Sequence, residues 1–195
     1  MGKIVLDMSM SVDGFITGPD DGPGRGLGVG GEVLHGWLGP GGGDPRTYRP
    51  ADPTSATVFD GLLATGAVLT GRRTFENAGG WDGDHHDGVA VLVLTRAAPP
   101  SPAPGHARYV TDVASAVARA RAAAGDRDVL LHGASAARAC LRLGLVDEIE
   151  LHLVPVLLGR GRLLFGDVEA DLELVRVLDG PGVQHLRYRV RAVPP

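Results

Sequence analysis

Val89-Ala-Val-Leu-Val-Leu94 is the stretch that most narrows the fold. A strand with one face in water alternates apolar and polar residues, and this run does not alternate. It reads as a strand covered on both faces, the habit of parallel sheets flanked by helices. Its surroundings carry the matching rhythm. Thr57 to Thr65 is an amphipathic helix with Val58, Phe59, Leu62 and Leu63 at helical spacing, Ala67 to Thr70 a strand, and Arg72 to Asn77 a second helix. Asp112 caps a helix running to Ala124, where Gly125 stops it. Asp128 to His132 is a strand and Ala134 to Leu143 a helix ended by Gly144.

Upstream, Lys3 to Met10 reads as a buried strand, and Phe15-Ile16 as a short extension after the Val12-Asp13-Gly14 turn. Downstream, Ile149, Leu151 and Leu153 alternate with Glu148, Glu150 and His152, the pattern of a half-exposed strand. Leu172 to Leu178 and Gln184 to Arg191 flank Gly180-Pro181-Gly182 and predict an antiparallel pair, with Arg187, Arg189 and Arg191 on one polar face. Helices between strands, then strands alone, make an α/β chain with a mixed sheet and helices packed on it.

A chain of 195 residues is most simply one domain, residues 1–195. Its net charge of −4 excludes a broad electrostatic grip on nucleic acid. The single cysteine, Cys140, excludes a disulfide framework and reads as a packed small hydrophobe. The N-terminus lacks a signal-peptide pattern, and no window approaches the ~20 apolar residues of a membrane span. The expectation is a cytoplasmic protein with a small-molecule partner and no nucleic-acid or membrane partner.

Three predicted strand ends carry candidate chemistry. Gly71, Arg72, Arg73 and Thr74 pass from a strand into the first turn of a helix, where free N–H groups favour an anion. The plainer alternative is a solvated helix start with incidental arginines. Leu94-Thr95-Arg96 follows the buried run, and His132-Gly133-Ala134-Ser135 offers a second helix start. Two helix termini with three arginines suit a pyrophosphate bearing an extra phosphate, which describes NADPH better than NADH.

A more familiar motif misleads. GLGVGG, Gly26 to Gly31, spells the dinucleotide fingerprint, but GPDDGPGR precedes it where a strand is required. It reads as part of a glycine- and proline-rich flexible lid at about residues 18–53. Asp82, Asp84, His85, His86 and Asp87 have metal-ligand chemistry, but adjacent histidines on a loop need not converge, so a solvated turn is expected and no metal site.

The run TGRRTFE, Thr70 to Glu76, resembles the strand-to-helix signature of dihydrofolate reductases. SMSVDGFITGPD, Ser9 to Asp20, and DVLLHGASAARACLRLGLVDEIELHLVPVLLGRGRLLF, Asp128 to Phe165, resemble the C-terminal reductase domain of the riboflavin-biosynthesis deaminase–reductase. The resemblance implies a three-layer dihydrofolate reductase-like fold with an eight-stranded mixed sheet, NADPH across the strand ends, and a homodimer.

It further implies that Arg72, with Thr95 and Arg96, meets the 2′-phosphate. Arg73 and Thr74, with Gly133, Ala134 and Ser135, would reach the pyrophosphate. Asp13 and Gly14 would hold the nicotinamide, and Pro155, Leu157, Leu158, Gly159 and Gly161 would build part of the substrate pocket. In the lid, Glu32 is a candidate acid, His35 a candidate proton source and Trp37 a candidate stacking platform, each against the plainer reading of a partly exposed lid residue. The reading is thus a reductase of a small heterocycle, with a non-catalytic NADPH-binding or interaction module as the alternative.

Overall fold

The computed structural model describes residues 2–41 and 44–191. In chain order the elements are β1 (Ile4–Ser11), β2 (Phe15–Thr17), α1 (Pro53–Leu63), β3 (Ala67–Gly71), α2 (Arg72–Asn77), β4 (Ala90–Leu94), β5 (Ala107–Val110) and α3 (Val113–Ala124). They continue as β6 (Val129–His132), α4 (Ala134–Arg142), β7 (Glu148–Val154), β8 (Arg162–Leu163), β9 (Leu172–Gly180) and β10 (Val183–Val190). Short 3-10 segments occupy Gly31–Leu38, Pro45–Thr47 and Gly79–Gly83.

The main sheet has eight strands in the order β5-β4-β3-β6-β1-β7-β10-β9. Its first six are mutually parallel, whereas β10 runs antiparallel to both β7 and β9. β2 and β8 form a separate antiparallel pair. This is a mixed eight-stranded sheet with flanking helices, of dihydrofolate reductase-like form. The apolar run 89–94 supplies β4, with Val91 and Val93 fully buried and β3 and β5 on either side. β5 escapes sequence reading because four residues, one of them Arg108, give too little periodicity after a proline-rich loop.

Two expectations need correction. The alternation along β7 does not mark a half-exposed strand: Glu148, Glu150 and His152 are all buried. β10 covers their strand and supplies matching partners in register, Arg189 opposite Glu148, Arg187 opposite Glu150 and His185 opposite His152. Arg187 donates to Glu148 at 2.7 Å and to Glu150 at 3.3 Å, while Arg176 reaches Glu150 at 2.9 Å. Burial alone would push the Glu148 carboxyl up, but Lys3 and Arg187 hold it below its ordinary range. A polar period-2 pattern therefore faces paired charge here rather than water.

The second correction concerns His85 and His86, which are not a solvated turn. Both are at most 2 % exposed: His85 packs against Trp81 and against His132 of β6, and His86 against His85 and Thr65. The chain reaches this arrangement through residues 79–82, whose φ angles of 64, 65, 48 and 51° are all left-handed. Trp81 and Asp82 hold that conformation against side-chain strain, a feature that concentrates at functional sites.

The glycine-rich segment is folded over its described residues; residues 42 and 43 lie outside them. Gly18 N–H donates to the Leu27 carbonyl and Val29 N–H to the Pro19 carbonyl, both at 2.8 Å. A Cβ on Gly28 would run into the backbone of Gly18 and Pro19. Here glycine serves close backbone approach rather than looseness. No strand feeds GLGVGG, and the segment after it is 3-10, so the fingerprint geometry is missing.

Candidate functional site

The parallel strands β1, β3, β6 and β7 point their carboxyl ends into one cleft of about 870 Å³, roofed by the glycine-rich segment. Such a crevice is where open α/β sheets take ligands. Its two halves differ in chemistry.

One half is built from helix starts. α1 and α3 begin conventionally, with Asp52 and Asp112 accepting hydrogen bonds from the amides of Ser55 and Ser115. By contrast α2 and α4 begin at Gly71 and Gly133, and neither has a side-chain cap. Their first N–H groups are left for another acceptor. The two starts are adjacent. A Cβ on Gly71 would stand 3.6 Å from the Ala136 amide nitrogen, and one on Gly133 would collide with the Thr74 hydroxyl. Gly133 also has φ +85°, so both sterics and backbone exclude a larger residue.

Gly71, Arg73, Thr74, His132, Ala134 and Ser135 line the cleft. The Arg73 guanidinium meets the Asp21 carboxylate of the roof at 2.8 and 3.0 Å. Arg72 lies beside the cleft, donating to Glu76 at 2.6 Å across one helical turn. Leu94, Thr95 and Arg96 sit at the end of β4, outside the cleft wall; Arg96 is exposed and makes no ion pair among the described residues. This donor set fits a polyphosphate: uncapped amides, small residues where backbone must come close, and guanidinium groups at the rim.

The other half is a bed of buried imidazoles. Asp7, on β1, accepts from His152 Nε2 at 3.1 Å, and its backbone carbonyl lies 2.9 Å from His132 Nδ1. Burial pushes the Asp7 carboxyl up, but His152 by charge and hydrogen bond, with His132 and Arg187, draws it below its ordinary value. His152 Nδ1 lies 2.8 Å from His185 Nδ1, and His185 Nε2 lies 3.2 Å from the Ser55 hydroxyl. Burial lowers His185 to about 4. A second pair, His85 and His86, joins Nδ1 to Nδ1 at 2.7 Å, and burial lowers both.

Trp37 covers the first pair, its ring 4.4 Å from His152 and 4.9 Å from His185, with its indole N–H donated to Ser9 at 2.9 Å. It is 8 % exposed, so the plainer reading of a partly exposed lid residue fails for Trp37. His35 lines the cleft and is lowered to about 4, by burial first and then by His132 and His152. Glu32 also lines it, from an exposed position.

The first loop lies elsewhere. Asp13 accepts from the Ser11 hydroxyl at 2.6 Å and from the Leu158 and Gly159 amides at 3.1 and 2.7 Å, and is not part of the cleft wall. The Gly14 carbonyl accepts from Leu164 N–H at 3.0 Å. Pro155, Leu157, Leu158, Gly159 and Gly161 likewise stay off the wall, Leu157 being 71 % exposed. Arg162 does reach the cleft, beside Thr17; the Thr17 hydroxyl and Arg162 Nε are buried without a partner among the described residues.

Asp7, His152 and Arg162 are cleft residues that sequence reading missed; His85, singled out in the sequence for its ligand chemistry, also lines the cleft. One signal was available: His and Glu on β7 and Arg and His on β10 stand opposite one another only if both strands turn the same face inward. Among the described residues no group of three His, Cys, Asp or Glu side chains converges as a metal site, and no helix is long and apolar enough to cross a membrane.

Comparison with known proteins bears on this cleft. A family model described as the RibD C-terminal domain matches residues 2–184. No curated protein matches the sequence. Among solved structures, a Shewanella sp. PV-4 protein named for riboflavin biosynthesis superposes with a TM-score of 0.71 at 18% identity, over 97% of this chain and 99% of that one. A pyrimidine reductase-like protein from Corynebacterium diphtheriae gives 0.64 at 16% identity, over 98% and 93%. Dihydrofolate reductase from Enterococcus faecalis, solved with NADP(H), gives 0.63 at 14% identity, over 98% of both chains.

Proposed function

The chain belongs to the RibD C-terminal domain family, and we propose that it is an NADPH-dependent reductase transferring hydride to a C=N or C=O bond of a small heterocycle. The observation that carries this reading is the contrast among helix starts: two helices have aspartate caps that lie off the cleft wall, and two start uncapped side by side at the cleft. Gly133, Ala134, Ser135, Arg73 and Thr74 would hold the pyrophosphate, and Arg72 with Thr95 and Arg96 the 2′-phosphate. NADPH supplies the hydride when bound. The chain supplies orientation and a dry floor, with Trp37 and the buried imidazoles beneath the reacting groups. The partnerless Thr17 hydroxyl and Arg162 Nε suit polar groups of the substrate.

The test is a titration of the protein with NADPH and NADH, followed by nicotinamide absorbance in the presence of a pterin, a cyclic imine and an ortho-quinone. Losing a charged phosphate contact costs about 1.5–3 kcal/mol, so Arg72→Ala should weaken NADPH roughly ten- to a hundredfold. NADH affinity should barely change. Equal loss for both cofactors would remove Arg72 from the 2′-phosphate.

We also propose a cytoplasmic homodimer. Its support is β9, an edge strand with Leu172, Leu174, Val175 and Val177 exposed, an arrangement that invites pairing with another copy. Sedimentation should give twice the chain mass, and Leu174→Glu with Val177→Glu should give the monomer. A wild-type monomer at micromolar concentration would refute it.

A further inference from the structure

Trp37, His152, Asp7, His132, His85 and Trp81 all line the cleft and follow one another as a continuous floor across β7, β1 and β6. The Trp37 ring lies 4.4 Å from that of His152, and His152 Nε2 lies 3.1 Å from Asp7 Oδ1. The Asp7 carbonyl lies 2.9 Å from His132 Nδ1; the His132 ring is 5.4 Å from His85, and His85 is 4.6 Å from Trp81. Phe59 and Leu62 of α1 add apolar wall. Such a surface takes an aromatic ligand.

Two acceptors interrupt the floor. Asp7 is 7 % exposed; its Oδ1 takes the His152 hydrogen bond, and Oδ2 has no partner among the described residues. A carbonyl only accepts, so His132 Nδ1 carries the proton it donates to the Asp7 backbone. Burial pushes His132 below its ordinary basicity, which leaves the ring neutral and makes its Nε2 an acceptor too, again without a partner among the described residues. Unpaired acceptors in a buried site are costly, so both call for N–H donors from the ligand. The charges around the floor point the same way. Arg73 and Arg162 face Asp21 at 2.8 and 3.5 Å, and Arg25 sits on the same turn of the roof, its amide bonded to the Gly22 carbonyl. Arg46 is off the cleft wall and bonded to Asp44 and Asp84 at 2.8 and 3.2 Å. The charged side chains beside the rings are Asp7, Glu32, Asp44 and Asp82, while burial lowers His35 and His85 and keeps them neutral. An anionic substituent here would meet like charge in a site of low dielectric, with no counterion.

We propose that the substrate is an aromatic heterocycle bearing an amino group and no phosphate or carboxylate, with Asp7 and His132 as the specificity-determining residues that accept its N–H donors. This rests on the reductase reading above and narrows its small heterocycle to uncharged or cationic members. A phosphorylated ring would have to reach past the floor to the helix starts of α2 and α4, which the pyrophosphate of the coenzyme fills in that reading.

Calorimetry with three probes of one shape tests this: 2-aminoquinazoline, 2-methylquinazoline, which lacks the donors, and 2-aminoquinazoline-6-carboxylate, which adds an anion. With NADP+ filling the helix starts, the amino probe should bind about tenfold or more tighter than either of the others. A methyl or carboxylate probe that binds as tightly as the amino probe overturns the proposal. So does an amino probe that shows no binding at millimolar concentration. Asp7→Asn keeps the size and an oxygen for His152 but turns a donor to the cleft. It should weaken the amino probe about tenfold or more and leave the methyl probe unchanged. Equal loss for both probes overturns the role of Asp7. Should this variant fail to fold, the ranking of the three probes on the wild-type protein decides. NADP+ that binds to no measurable extent refutes the reductase reading instead, and the same ranking is then read on the free protein.

Discussion

Replacing Trp37 with alanine should lower the unfolding free energy by about 3–5 kcal/mol, the usual cost of emptying a large buried site. The indole sits among Leu34, Phe59, Val154 and Val183, and against the rings of His152 and His185. These residues come from the 3-10 segment, α1, β7 and β10, so the loss is spread over elements that cannot collapse together to fill it. Urea denaturation should show a lower midpoint with an unchanged slope. Trp37→Phe separates two contributions: it keeps most of the apolar volume but leaves Ser9 Oγ without its donor, at a cost of about 1–3 kcal/mol. A loss below ~1 kcal/mol for Trp37→Ala would mean that the roof segment opens independently of the core and that Trp37 belongs to the roof alone.

The elements that periodicity announces are those whose burial is apolar. The buried run of β4, the Asp112-capped helix and the α2 range emerge directly, because an apolar face imposes a spacing that sequence displays. β7 misleads for the complementary reason. Its inward face is polar, and only the three-dimensional pairing of Glu148, Glu150 and His152 with Arg187, Arg176 and His185 shows that the face is dry. Asp7 is hidden similarly, as one acid within a strand that otherwise reads as core. The phosphate side is more legible. Glycine followed by small or basic residues at a strand end leaves a mark in sequence, since a close approach and an uncapped amide each demand particular residue types. In the first loop the acid of the motif has backbone partners. Asp13 is bound to the 158–159 backbone, so the motif S-V-D-G reports how that loop is tied down. In the roof, glycine content alone suggested looseness, whereas the contacts of Gly18 and Gly28 show backbone packed on backbone.

Acid should unfold this protein well before its carboxylates titrate. His185 is fully buried and neutral, its basicity depressed from 6.5 to about 4 by burial first and by His152 second. In the unfolded chain the same ring takes a proton below about pH 6.5. Its contribution is therefore complete above that pH and is lost progressively as pH falls from 6.5 towards 4, because the unfolded state binds the extra proton first. At roughly 1.4 kcal/mol per pH unit, this one ring removes about 3 kcal/mol by pH 4. His35, also lowered to about 4, acts in the same direction and over the same range. Asp7, Asp21 and Glu148 are shifted downward, so their stabilisation is lost only below the ordinary carboxylate range and does not confuse the window. Urea midpoints taken in steps of about half a pH unit between 7 and 4.5 should fall continuously, and His35→Leu should flatten part of the slope. A midpoint that stays constant down to pH 5 would show that these imidazoles are not held neutral, and that protons reach the cleft floor without unfolding it.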